Sequence, residues 1–111
     1  MTPEKALDIS LLLEFYGALL TERQRELVEF YYNDDLSLSE IAENLGITRQ
    51  GVRDGLRKAE EALSSFEEKL KLSYLFRERE KTVVLVKKKL AERNIDDPEL
   101  IEDLDKLVSL G

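Results

Sequence analysis

The sequence contains neither cysteine nor histidine in its 111 residues. Without cysteine no disulfide can staple the fold, and thiol chemistry and thiolate metal sites are excluded. Without histidine the usual general base, the usual activator of a nucleophile and a common transition-metal ligand are missing too. Proline is nearly absent: Pro3 and Pro98 are the only two, and both stand where a helix would begin. No uncharged run approaches the ~20 apolar residues that span a bilayer. The opening Met-Thr-Pro-Glu-Lys lacks the basic region and apolar stretch of a signal peptide. These absences describe a soluble, intracellular protein, most simply cytoplasmic, with no membrane partner.

At 42% hydrophobic and 37% charged, the chain has material for one core but not for two. A single domain over residues 1–111 is expected, with a central portion at about 21–70 and a C-terminal extension at about 72–111. Basic charge is in deficit, and the net charge is −7. The deficit is uneven. Residues 1–46 carry 3 basic and 10 acidic side chains, residues 47–58 carry 4 and 1, and residues 59–111 carry 10 and 13. Of these three segments only 47–58 is net positive, as a phosphate-facing surface on an acidic protein would be.

What is present is helical periodicity. Apolar residues recur at three and four, and none alternate convincingly at two, so the fold class is all-α. Thr2 and Pro3 open a first helix whose main stripe is Leu7, Leu11, Phe15 and Leu19. Ile9, Leu12, Leu13, Tyr16 and Leu20 widen that stripe, enough to suggest burial on more than one side, by the domain itself or by a second copy in a homodimer. Thr21 with Gln24 forms a capping box for a helix carrying Leu27, Val28, Tyr31 and Tyr32. Asn33-Asp34-Asp35 turns the chain. Ser37 with Glu40 is a second capping box, and Gly46 is placed to end that helix in the left-handed conformation. Thr48 caps a helix of about six turns, with Val52, Leu56, Ala59, Leu63, Phe66 and Leu70 along it. Its second half is too long for a DNA groove and should pack on other parts of the chain. Leu72, Phe76, Val83, Val86 and Leu90 continue at near-heptad spacing, with Arg79 in the polar slot. Thr82 to Val86 has strand propensity but no partner strand, so it is read as helix. Asp97-Pro98 starts a last helix with Leu100, Ile101, Leu104, Leu107 and Val108 on one face. The C-terminal helices are expected to pack on the long one.

Leu38 to Lys58 has the spacing of a helix-turn-helix. Ala42 is the small residue at the helix crossing, Gly46 is the turn, and Ile41, Leu45, Ile47 and Val52 lock the pair. Gly55 stands where such motifs usually have a branched apolar residue, which either lets the helix flex there or leaves room for another backbone to approach. The start of the second helix is the part that enters a major groove. It directs Thr48, Arg49, Gln50, Arg53 and Arg57 toward nucleic acid, with Lys58 nearby. Arg49 suits a guanine edge and Gln50 an adenine edge, and Thr48 can reach a phosphate. The bland alternative is a solvated face on a module that binds protein.

Three runs carry a family resemblance: Leu20-Thr21-Glu22-Arg23-Gln24, Tyr31 through Ala42, and Thr48-Arg49-Gln50-Gly51-Val52-Arg53-Asp54. They resemble the YlxM family of short bacterial helix-turn-helix proteins, themselves similar to region 4 of sigma factors. Phe15-Tyr16 and Glu68-Lys69-Leu70 also fit, so the likeness covers about residues 7 to 72. The sequence departs from the family pattern at Gly51, where alanine is usual, at Arg53, where an aromatic is usual, and at Gly55. The resemblance implies a regulatory or accessory protein of the signal recognition particle pathway, with the particle's GTPase or RNA as partner.

Other features have plainer readings. Asp34-Asp35 and Asp96-Asp97 lack the multi-oxygen spacing of a calcium loop and serve as turn and cap residues, so no metal and no cofactor is expected. Tyr31 and Tyr32 could stack on bases but at helical spacing read first as core. Lys87-Lys88-Lys89 with Arg93 spreads around a helix and reads as solvated. Carboxylates alone, without a cleft, do not make an enzyme. The expectation is a non-enzymatic regulator binding DNA or RNA. The alternative is a module that docks on the particle's GTPase or another protein without nucleic acid.

Overall fold

The computed structural model describes residues 3–109, and side chains from Asp8 onward. The expected cap Thr2 and the stripe residue Leu7 lie outside what is described. Every regular element among the described residues is helical: α1 (Pro3–Tyr16), α2 (Glu22–Val28), α3 (Leu38–Leu45), α4 (Arg49–Leu70), α5 (Leu72–Glu92) and α6 (Pro98–Lys106). Thr82 to Val86 lies inside α5 and is helical. The chain divides after Lys71 into two compact units.

In the first unit the core is built on α4. Val52, Leu56, Ala59 and Leu63 recur at four, three and four and are buried. Around them close Ile9, Leu13 and Tyr16 of α1, Leu27 and Val28 of α2, and Ile41 of α3. Each fully buried Leu, Ile or Val contributes about 1.5–3 kcal/mol over leaving it exposed. The most buried stripe of α1 is therefore Ile9, Leu13 and Tyr16, whereas Leu11 and Phe15 of the expected main stripe are half-buried. Leu19 falls in a 3-10 turn after the helix and is 57% exposed. Tyr16 sets this phase. Its ring is fully buried 5.9 Å from that of Phe66, and its hydroxyl donates to Glu67 Oε1 at 2.7 Å. A buried phenol needs such an acceptor, and only one rotation of α1 delivers it.

Both capping boxes form, Thr21 with Gln24 and Ser37 with Glu40, each with its two reciprocal hydrogen bonds. After Val28 the chain does not stop but widens into a π turn, Glu29–Asn33, in which Asp34 N–H reaches Glu29 O at 2.9 Å. Asp35 then takes a left-handed φ of 57° and ends it. Lys71, also left-handed at φ 55°, ends α4.

The second unit pairs α5 with α6. Asp97 caps α6, accepting from Leu100 N–H at 3.2 Å, and Pro98 sits at its start as expected. Arg79 fills its polar slot by donating from Nη1 to Leu107 O at 3.3 Å, and Lys87 pairs with Asp105. Ile101, Leu104 and Val108 are partly buried, whereas Leu100 and Leu107 are exposed, so the covered face of α6 is narrower than the five residues expected. No helix among the described residues is long and apolar enough to cross a membrane.

Candidate nucleic-acid interface

The turn between α3 and α4 follows from a few local rules. Gly46 adopts φ 66° and ψ 34°, a conformation that any side chain would strain, and its N–H returns to Ala42 O and Glu43 O. Ile47 N–H joins Ala42 O at 3.1 Å. Thr48 then opens α4 by accepting from Gly51 N–H at 3.0 Å. Ile41 and Val52 are fully buried across the turn, and Leu45 and Ile47 pack partly on the same core. Ser37 supports the far end of α3. Its backbone N–H, and secondarily its side chain, hold the Glu40 carboxyl below the usual carboxylate range.

Gly55 has a definite packing reason. A Cβ there would lie 2.5 Å from Leu27 Cδ1, so a side chain of α2 occupies the space that the motif's branched residue usually fills. The close approach is by that side chain, where the sequence left open a flexible spot or the approach of another backbone. Gly51 is different, since a Cβ there would meet only Thr48 Oγ1 at 3.1 Å and Ile47 Cδ1 at 3.9 Å.

The six candidate residues, Thr48, Arg49, Gln50, Arg53, Arg57 and Lys58, are all exposed and all lie in the first three turns of α4 or at its cap. Arg49, Arg53 and Arg57 follow at intervals of four and so share one row. Among the described residues none of these arginines, nor Lys58, has an ion pair or a side-chain hydrogen bond. Gln50 is engaged: its Nε2 donates to Asp54 Oδ1 at 3.0 Å, a bond that an adenine edge would have to displace. Arg49, Gln50 and Arg53 line one depression.

Arg53 also lines a second depression, of about 310 Å³, that sequence reasoning did not find. Its lining is completed by Tyr31 and Tyr32 from the π turn, the apolar Leu38 and Leu56, and the charged Arg57 and Glu60. The two tyrosine rings meet edge to face, with centroids 5.1 Å apart. The Tyr32 hydroxyl donates to Glu60. Both rings are partly buried against the core on one side, so the core reading of them holds in part. The adjacent aromatics were visible in sequence, but nothing there announced the π turn that places them beside Arg53 and Arg57.

A left-handed glycine turn, a capped second helix and a cluster of free cations on that helix define a helix-turn-helix protein on an all-helical scaffold. Residues 3–107 match the family described as "Putative helix-turn-helix protein, YlxM / p13 like", and the chain belongs to that family. It is 51% identical over 78 residues to a UPF0122 protein of Desulforamulus reducens, covering 70% of this chain and 67% of the relative. It is 37% identical over 107 residues to a UPF0122 protein of Listeria monocytogenes, covering 96% and 97%. A UPF0122 protein of Bacillus cereus is 39% identical over 107 residues, covering 94% and 97%. The match runs through α5 and α6, well beyond the stretch from about 7 to 72 that carries the resemblance in sequence. The family's description names a motif and no reaction.

Proposed function

We propose that this protein is a non-enzymatic regulator that holds nucleic acid against the outward row of α4. Arg49, Arg53 and Arg57 meet phosphates, Lys58 adds charge beside them, and Thr48 and Gln50 lie at the leading end. The resemblance to the YlxM family supports placing this activity in the signal recognition particle pathway. One observation carries the reading. Among the described residues four helices, α2, α3, α4 and α6, open with a side-chain cap, and α2, α3 and α6 place an acidic residue in the first turn, which suits the positive end of the helix dipole. In α4 the first turn holds no acid and begins with Arg49. A cation there costs about 0.3–1 kcal/mol of helix stability, and among the described residues Arg49 has no ion pair to offset it. A bound phosphate would.

A salt titration tests this. With duplex DNA or the particle's RNA, log K should fall linearly with log salt, and Arg53→Gln or Arg57→Gln should each reduce the slope by about one. Binding of neither nucleic acid at low salt overturns the proposal. A complex with the particle's GTPase, formed without nucleic acid and untouched by these substitutions, would install the protein-docking reading in its place.

A further inference from the structure

The tyrosine-lined groove offers chemistry that phosphate contact alone leaves unused. We propose that it receives an unstacked base, so that the preferred ligand is single-stranded nucleic acid, a loop or bulge included, and not regular duplex. This rests on the reading of α4 as the nucleic-acid surface and adds a base-stacking site to it.

The argument begins with Arg53, which lines both depressions. A phosphate held there has one neighbouring nucleotide beside Arg49 and Gln50, and the other at the mouth of the groove. At about 310 Å³ the groove lies at the small end of ordinary ligand clefts, ~300–1,000 Å³. Its lining combines two aromatic rings, two leucines and Arg57, whose planar guanidinium can itself stack. Aromatic rings beside a track of free cations are the usual means of binding single strands, since every base has a π-face. A paired base inside a duplex has both faces covered and cannot enter such a corner.

The rings are held before any ligand arrives. Each ring packs on the core along one side, and the Tyr32 hydroxyl is tied to Glu60. Little side-chain freedom is then lost on binding. The backbone around the rings departs from ideal helix in the same place. The π turn Glu29–Asn33 contains both tyrosines, and single π turns within helices recur at functional sites.

The test compares a fluorescein-labelled oligoadenylate of about ten nucleotides, as RNA and as DNA, with a duplex of the same length. Tyr31→Leu keeps apolar bulk against the core and removes the ring, whereas Tyr31→Phe keeps the ring. The expected result is tighter binding of the single strand than of the duplex at matched salt. Tyr31→Leu should weaken the single strand by about tenfold with an unchanged salt slope, and Tyr31→Phe should restore it. Comparison of the RNA and DNA arms reports whether the sugar is also read. Binding that depends on Arg53 and Arg57, but is indifferent to Tyr31→Leu and to strandedness, overturns this inference and leaves the proposed function standing. No binding of any oligonucleotide overturns both. An acidic peptide that occupies the groove in a Tyr31-dependent manner, and competes with no oligonucleotide, overturns it in favour of a protein ligand.

Discussion

The two halves of α4 share one inward face and differ on the outward one. Inward, Val52 and Leu56 in the first half continue into Ala59 and Leu63 in the second, all buried in one core. Outward, the row that begins Arg49, Arg53, Arg57 continues as Glu61, and the second half of the helix carries Glu60, Glu61, Glu67 and Glu68 against Lys69. The sign of the charge reverses within one turn. The first half keeps its cations unpaired. In the second half Glu67 accepts from a buried tyrosine and Glu60 from Tyr32 at the groove. A single rigid helix is thus anchored by one end and presents the other. Its acidic half would repel the phosphates that its basic half attracts, which limits the ligand's footprint to about three turns.

The largest expected effect breaks the shared inward face. Gly55→Ala would gain about 1 kcal/mol of helix propensity on an open surface. Here the new Cβ must push Leu27, which is 2% exposed, out of a position 2.5 Å away. Overpacking of this kind costs about 1–3 kcal/mol, so the net change should be destabilising, read as a lower midpoint in urea. Adding Leu27→Val should cost less in the Gly55→Ala background than in the wild type, because valine vacates the contested space. A stabilised Gly55→Ala would mean that α2 does not seat on α4 as described.

The next effect sharpens the contrast between the outward rows. Arg49→Gln removes a cation from the positive end of the helix. It should raise stability by about 0.3–1 kcal/mol at low ionic strength, with the gain fading as salt is added. The same substitution should lower the salt slope of nucleic-acid binding by about one. Stability and affinity move in opposite directions, as expected where a residue is kept for binding against the preference of its own helix. If both fall together, Arg49 supports the fold, and the first half of α4 loses its distinction from the second.

Much of this arrangement was legible because it follows local rules. Thr21, Gln24, Ser37, Glu40, Gly46, Thr48 and Asp97 each act within four residues of themselves, and all took the expected roles. The helical state of Thr82 to Val86 followed from the absence of a partner strand. The features that escaped depend on residues distant in sequence. Helix α1 is apolar on most sides, so its rotation could not be read until Phe66 and Glu67 were placed against Tyr16. Gly55 is explained by Leu27, 28 positions away. The π turn has no compositional mark, and the groove beside Arg53 and Arg57 depends on it. The row of candidate cations was legible from spacing alone. The aromatic rings were legible as residues but not as a site.

The smallest effect concerns the support of α3, on which the turn into α4 rests. Glu40 is exposed, but the Ser37 N–H and side chain favour its ionised form and lower its pKa below that of the unfolded chain. The unfolded state therefore binds the proton first as pH falls. The capping contribution is fully present above the ordinary carboxylate range and is lost as pH drops through the lower, folded value. Glu40→Gln keeps a side-chain acceptor for the Ser37 N–H, since glutamine serves the same position in capping boxes, but it cannot titrate. The difference in urea midpoint between wild type and Glu40→Gln should then be constant near neutrality and shift against the wild type only below about pH 4.5. Other carboxylates titrate alike in both proteins and cancel in the difference. A difference that stays flat throughout the acid range would place the Ser37–Glu40 box outside the energetics of the fold, leaving Gly46 and the buried Ile41–Val52 pair to hold the turn.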